Sequence, residues 1–272
     1  MYRNPVERQR ELIETYTRHA PGPEVLRSLF DTQRAALRLQ ARALRQVLGR
    51  GGSGLEVGSY AGAFLAAAQD EGFAFDGLDI NTKVNTFARS LGFNVYDGEL
   101  SEFTPNRTYD VVAIWNTFDQ LADPRGAAHV AARLLAPGGL VVIRVPNGGV
   151  YARMRRRWKR GGRTGRVARA ILAQNNLMTF PYRWGFTPPS LVRLLEEAGL
   201  SVKAVRGDVL VPTADEWTKP WARLEEATIK RALVMAARSD VRRAPWFEVY
   251  AVRANEHPGS NKTSPLVHAE AH

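Results

Sequence analysis

The chain has 272 residues, of which 44% are hydrophobic, enough for one α/β domain with an extension. Its 38 Lys and Arg face 27 Asp and Glu for a net charge of +11, which excludes disorder of the acidic kind. There is no cysteine, so disulfides, thiolate zinc sites, iron–sulfur clusters and a cysteine nucleophile are excluded. No stretch approaches the roughly eighteen uninterrupted apolar residues of a membrane span. The start, MYRNPVERQRE, is too charged for a signal peptide, and a cytoplasmic protein is expected.

In chain order, a short helix is expected over residues 6–16, before the break HAPGP. Residues 23–48 read as one long helix, because Leu26, Phe30, Leu37, Leu44 and Leu48 recur near the 3.6 period and GRGG stops it. Residues 1–50 thus form an N-terminal helical extension or lid. From Gly54 onward short apolar runs alternate with helical stretches, the βαβ rhythm of a parallel sheet. Strands are expected at 54–57, 74–79, 94–96, 109–115 and 139–145, with helices at 61–70, 82–91 and 123–135. The rhythm is interrupted over 146–187 and resumes with an amphipathic helix at 188–198. Strands at 202–211 and 247–253 then flank a helical stretch around 214–237. The main domain spans 51–254, and the polar, aperiodic residues 255–272 read as a disordered tail.

The basic excess is local. No acidic residue lies between Asp123 and Glu196, yet residues 124–195 hold 14 Arg and Lys, nine of them within 153–169. Such a segment suits an anionic partner: a phosphate or carboxylate substrate, a nucleic acid or a membrane surface. A solvated face is the plainer alternative, since arginine outnumbers lysine 32 to 6 throughout. Val150, Met154 and Trp158 recur at helical spacing, which predicts a lid helix with its apolar stripe on the domain and a hinge at Gly161 and Gly162. A basic amphipathic helix also suits an anionic membrane. Phe180, Tyr182, Trp184 and Phe186 alternate and read as core or strand residues, some walling an acceptor pocket.

The chemistry centres on GLEVGSYAGAF, residues 54–64. An acidic residue closes the first strand, and Gly58 and Gly62 flank a tight turn into a helix whose free amides suit a carboxylate or phosphate. Asp79 ends the next strand 21 residues after Gly58, the distance at which a carboxylate can take both hydroxyls of a ribose. Together these imply an adenosine-containing ligand. The dinucleotide pattern G-x-G-x-x-G is absent, because Tyr60 stands midway between Gly58 and Gly62.

The sequence instead resembles the class I S-adenosylmethionine-dependent methyltransferases, and within them the ubiquinone-biosynthesis-like, small-molecule branch. After GLEVGSYAG, the resemblance rests on YDGEL (96–100), YDVVAIWNTFDQLADP (109–124), RLLAPGGLVVIRVPN (133–147) and WGFTPPSLVRLLEEAGLSV (184–202), and it spans about 54–253. It implies a Rossmann-like α/β fold: a seven-stranded, mostly parallel sheet with an antiparallel last strand, 247–253, between the fifth and sixth. The N-terminal extension precedes it, and the basic insertion follows the fifth strand. It also implies S-adenosylmethionine as cofactor and S-adenosylhomocysteine as product. Gly58 and Gly62 would adjoin the methionine part, with Glu56 supporting their loop and Tyr60 altering the turn or covering the cofactor. Asp79 would hold the ribose, Ile80 would lie against the adenine and Glu99 near its exocyclic nitrogen. The backbone at Trp115 and Asn116 would meet the methionine amino group.

Asp119 and Gln120 stand where close relatives carry Glu-His, so no histidine base is assumed. Candidates for a base are Asp119, Tyr151, Tyr182 and His19; His129 falls on a helix, and His257, His268 and His272 lie in the tail. The Asn/Asp-Pro-Pro-Tyr signature for base amino groups is missing, and no metal-ligand spacing is present, so the cofactor alone is expected. Three functions remain open. The first is methylation of an oxygen or nitrogen of a small, anionic or natural-product-like molecule. The second is a nucleic-acid methyltransferase clamping phosphates with residues 153–169, which Trp158, their single aromatic, supports poorly. The third is a non-catalytic, cofactor-binding regulator. The acceptor and the oligomeric state are not encoded in these motifs.

Overall fold

The computed structural model describes residues 2–3, 21–178, 183–210 and 220–253. The expected helix at 6–16, the tail at 255–272 and residues His19, Phe180 and Tyr182 lie outside them.

The centre is a seven-stranded sheet of β1 (Gly52–Val57), β2 (Phe73–Asp79), β3 (Val95–Asp97), β4 (Tyr109–Trp115), β5 (Leu135–Pro146), β6 (Leu200–Asp208) and β7 (Trp246–Arg253). Its order is β3-β2-β1-β4-β5-β7-β6. β7 runs antiparallel to both neighbours, with Glu248 opposite Arg144 on one side and Arg206 on the other. The other ladders, β1–β2, β1–β4, β2–β3 and β4–β5, are parallel, as expected. A two-residue strand, Tyr2–Arg3, pairs separately with Trp184–Gly185.

The central strands read as continuous apolar runs because both faces are covered. Leu55, Val112, Ile114, Ile143 and Val249 face α4 (Pro124–Leu134) and α7 (Pro188–Glu197). The alternate residues Val111, Ala113, Val142 and Tyr250 face α1 (Pro23–Leu48) and α2 (Ala63–Asp70). α1 buries Ala41 and Leu44 in that second layer and ends where the Gly49 N–H reaches the Arg45 carbonyl. α3 (Thr82–Ser90) joins β2 to β3, and α8 (Pro220–Ser239) precedes β7.

Two boundaries move for a physical reason. β5 begins at Leu135 rather than 139 because Leu135 pairs with Tyr109 across a register irregularity. β6 closes at Asp208, which pairs with Trp246 at the beginning of β7. The insertion is a helical hairpin, α5 (Gly148–Arg160) and α6 (Gly162–Gln174), broken at Gly161 and Gly162, both at positive φ. Val150, Met154, Ala168 and Leu172 close over Trp246. Asn147 starts α5 by accepting the N–H groups of Gly149 and Val150.

Candidate active site

The carboxyl ends of β1, β2 and β4 converge, as ligand sites do in open α/β sheets. Gly58 leaves β1 at φ +78°, and its N–H donates to the Leu78 carbonyl at 2.7 Å. A Cβ there would stand 2.2 Å from Thr117 Oγ1, so the β1 turn and the loop after β4 approach as only glycine permits. Tyr60 follows at φ +45°, a left-handed conformation that residues with a Cβ seldom adopt. Its N–H donates to Asp79 Oδ2 at 3.0 Å, while the Asn81 N–H donates to Oδ1 at 2.8 Å. Asn81 also caps α3, and the Asn85 amide ties the Asp79 carbonyl to Asp97. Burial raises the Asp79 pKa, and the backbone amides oppose that rise.

A cavity of about 590 Å³ opens beside this turn. Gly58, Tyr60, Asp79, Ile80 and Glu99 line it, bringing together five of the nine sequence-predicted cofactor residues. Gly62 lies behind, as the left-handed N-cap of α2. Thr117, Gln120 and Arg183 line the cavity too and were not singled out as cofactor residues. Gln120 formed part of a noted departure, and Arg183 belongs to the acid-free stretch; Thr117 carried no signal.

Glu56 and Trp115 lie on one face of adjacent strands, since Glu56 is in register with Ala113. Both are buried, and neither Glu56 Oε2 nor Trp115 Nε1 has a hydrogen-bond partner. Desolvation, reinforced by the charge of Asp79, pushes the Glu56 pKa well up. An unsatisfied buried carboxyl is costly unless a ligand completes it. Its charge suits an ammonium group, and the Asp79 carboxylate suits a vicinal diol, so the residues present fit S-adenosylmethionine. Asn116, at φ +59°, donates its N–H to the Arg144 carbonyl at 3.0 Å. The buried Arg144 guanidinium donates back to Asn116 Oδ1, pairs with Asp208 at 2.6 Å and lies 4.7 Å above the Trp246 ring.

The two described base candidates, Asp119 and Tyr151, lie apart. Asp119 occupies the turn Phe118–Gln120, fully buried, with neither carboxyl oxygen partnered, and burial drives its pKa well up. Its carbonyl accepts the Arg183 N–H at 3.0 Å, but its side chain does not line the cavity; that of its neighbour Gln120 does. Tyr151 lies in the α5–α6 cluster beside Arg155, away from the cavity lining. His129 is exposed on α4. None of residues 153–169 lines the cavity; the arginine that does is Arg183. Among the described residues no His, Asp or Glu cluster could hold a metal ion.

The strand order, the left-handed glycine turn after β1 and the carboxylate closing β2 define a class I S-adenosylmethionine-dependent methyltransferase. The chain belongs to the methyltransferase domain family, which matches residues 30–205. Among solved structures it is similar to an S-adenosylmethionine-dependent methyltransferase of Thermotoga maritima, at 14% identity and a TM-score of 0.54, covering 84% of this chain and 94% of that one. A methyltransferase of Archaeoglobus fulgidus matches at 18% identity and a TM-score of 0.52, covering 90% and 99%. The plantazolicin methyltransferase BamL, solved with a desmethylPZN analog and S-adenosylhomocysteine, matches at 13% and 0.54, covering 89% and 94%. No curated protein matches the sequence. Among the described residues no helix is long and apolar enough to cross a membrane.

Proposed function

We propose that this enzyme works in the cytoplasm and methylates an oxygen or nitrogen of a small anionic molecule, in the branch that resembles the ubiquinone-biosynthesis methyltransferases. One observation carries the reading: the Asp79 carboxylate, fixed by the Tyr60 and Asn81 amides, shares a cavity with the cation of Arg183. Asp79 takes the ribose hydroxyls, Ile80 and Glu99 border the adenine, and Glu56 faces the methionine ammonium. Gly58, Gly62, Tyr60 and the backbone at Trp115 and Asn116 shape the methionine end. When bound, S-adenosylmethionine supplies a methyl group on a sulfonium, open to in-line displacement. The chain's work is then alignment, an effect that reaches ~7–11 kcal/mol in well-oriented reactions.

Arg183 receives the anionic group of the acceptor, and its planar fork suits a carboxylate or phosphate. Gln120, which donates to the Asn116 carbonyl at 2.8 Å, sets the wall between the two ligands. Asp119 lies buried behind that wall, in the same turn as Gln120. Plantazolicin, the substrate in the name of a structural neighbour, supports an acceptor of natural-product size.

Calorimetry of S-adenosylhomocysteine binding tests the assignment. Asp79→Ala removes a charged acceptor of two hydroxyls, each bond worth about 1.5–3 kcal/mol, so affinity should fall at least a hundredfold. Unchanged affinity, or tighter binding of NAD than of S-adenosylhomocysteine, overturns the reading.

A further inference from the structure

We propose that the α5–α6 hairpin is a docking surface for an anionic phospholipid bilayer. Of the nine Arg and Lys between residues 153 and 169, eight are exposed, and Arg153 is half-buried with its guanidinium on the Arg242 carbonyl. Across the described residues every ion pair lies elsewhere, on carboxylates outside this acid-free stretch. The hairpin therefore projects a concentrated positive field with no internal counter-charge, and a surface of fixed negative charge complements it. These cations do not line the cavity, so a bound substrate does not account for them.

The apolar side chains decide which polyanion fits. The α5 stripe starts buried at Val150 and Met154 and emerges at Trp158, 39% exposed among Arg157, Lys159 and Arg160. On α6, Val167 is 55% exposed. α8 and α5 both pack on the turn Val241–Arg243, and α8 exposes Trp221, Leu224 and Met235 by 64%, 70% and 67%. Single-stranded RNA uses phosphate contacts and aromatic stacking, so it would engage the cations, Trp158 and Trp221 but not exposed Val, Leu and Met. A headgroup interface takes all of them: basic side chains meet lipid phosphates, and Trp and aliphatic groups enter the acyl boundary. Eight cations with adjoining apolar groups also exceed what one phosphate or carboxylate can use.

The test is co-sedimentation of the full chain, without cofactor, with vesicles of phosphatidylglycerol and phosphatidylcholine, against vesicles of phosphatidylcholine alone. A parallel arm offers oligouridylate as competitor. The wild type should bind the anionic vesicles and leave the neutral ones, and salt should weaken the binding. R155Q/R156Q/R157Q should lower partitioning by roughly a hundredfold, at about one kcal/mol per basic residue near such a surface. Trp158→Ala should weaken binding to the anionic vesicles while the neutral ones stay unbound. Unchanged S-adenosylhomocysteine affinity in both variants shows an intact fold and separates this result from the methyltransferase reading. Absence of sedimentation by the wild type, a triple variant that binds as well as wild type, or displacement by oligouridylate at lower concentration than lipid would each overturn the proposal.

Discussion

Two carboxyl groups, Asp119 and Glu56, are buried without full hydrogen bonding, and each has a thermodynamic signature. The folded pKa of Asp119 lies well above the usual carboxylate value because burial penalises its charge. Between the unfolded pKa, about 4, and that raised value, the native state holds a proton the unfolded chain has lost, so stability falls as pH rises. Asp119→Asn removes this contribution. Urea unfolding across that range should show a flatter pH profile and a variant at least as stable as wild type at neutral pH; parallel profiles would show that Asp119 is not the source. Glu56 shares the sign but differs in consequence. A ligand ammonium beside it favours the ionised form, so cofactor binding should release a proton and tighten as pH rises. Calorimetry in buffers of differing ionisation enthalpy reads that proton, and Glu56→Gln should abolish its release.

Arg144 acts between elements, joining the loop after β4, the end of β6 and the start of β7 through Asn116, Asp208 and Trp246. Removing one partner of a buried pair costs about 3–5 kcal/mol, because the remaining charge stays behind. Arg144→Met should therefore lower the thermal midpoint by roughly 6–20 °C, and a shift under about 2 °C would show that Asp208 and Glu248 relax into water. In the sequence this arginine was silent. VVIRVP reads as one apolar strand, and the partners that make the charge tolerable arrive from β6 and β7, 64 and more residues later. Local signals fared differently. The long first helix was legible at both ends, because Pro23 opens it and Gly49 closes it. Gly58 and Asp79 were legible because a turn and a strand end are local events. The place of residues 153–169 was not: their periodicity specified helix and apolar stripe, while the body they pack on, Trp246, is remote in sequence.

At the scale of the molecule, the last strand occupies the interior of the sheet. β7 fills the gap between β5 and β6, and Phe247, Val249 and Ala251 share one core with Leu55 and Ile114. On the ribosome β7 is made after both of its neighbours. Until residues 246–253 are released, β5 and β6 each present a bare hydrogen-bonding edge, the kind of edge that recruits strands from other chains. The nascent chain can assemble β1 to β5 as their helices appear, yet it must wait for residues 246–253 to join the two halves. The central sheet is thus closed only once this strand has been made, and a chain cut short before Trp246 carries two sticky edges rather than a smaller enzyme.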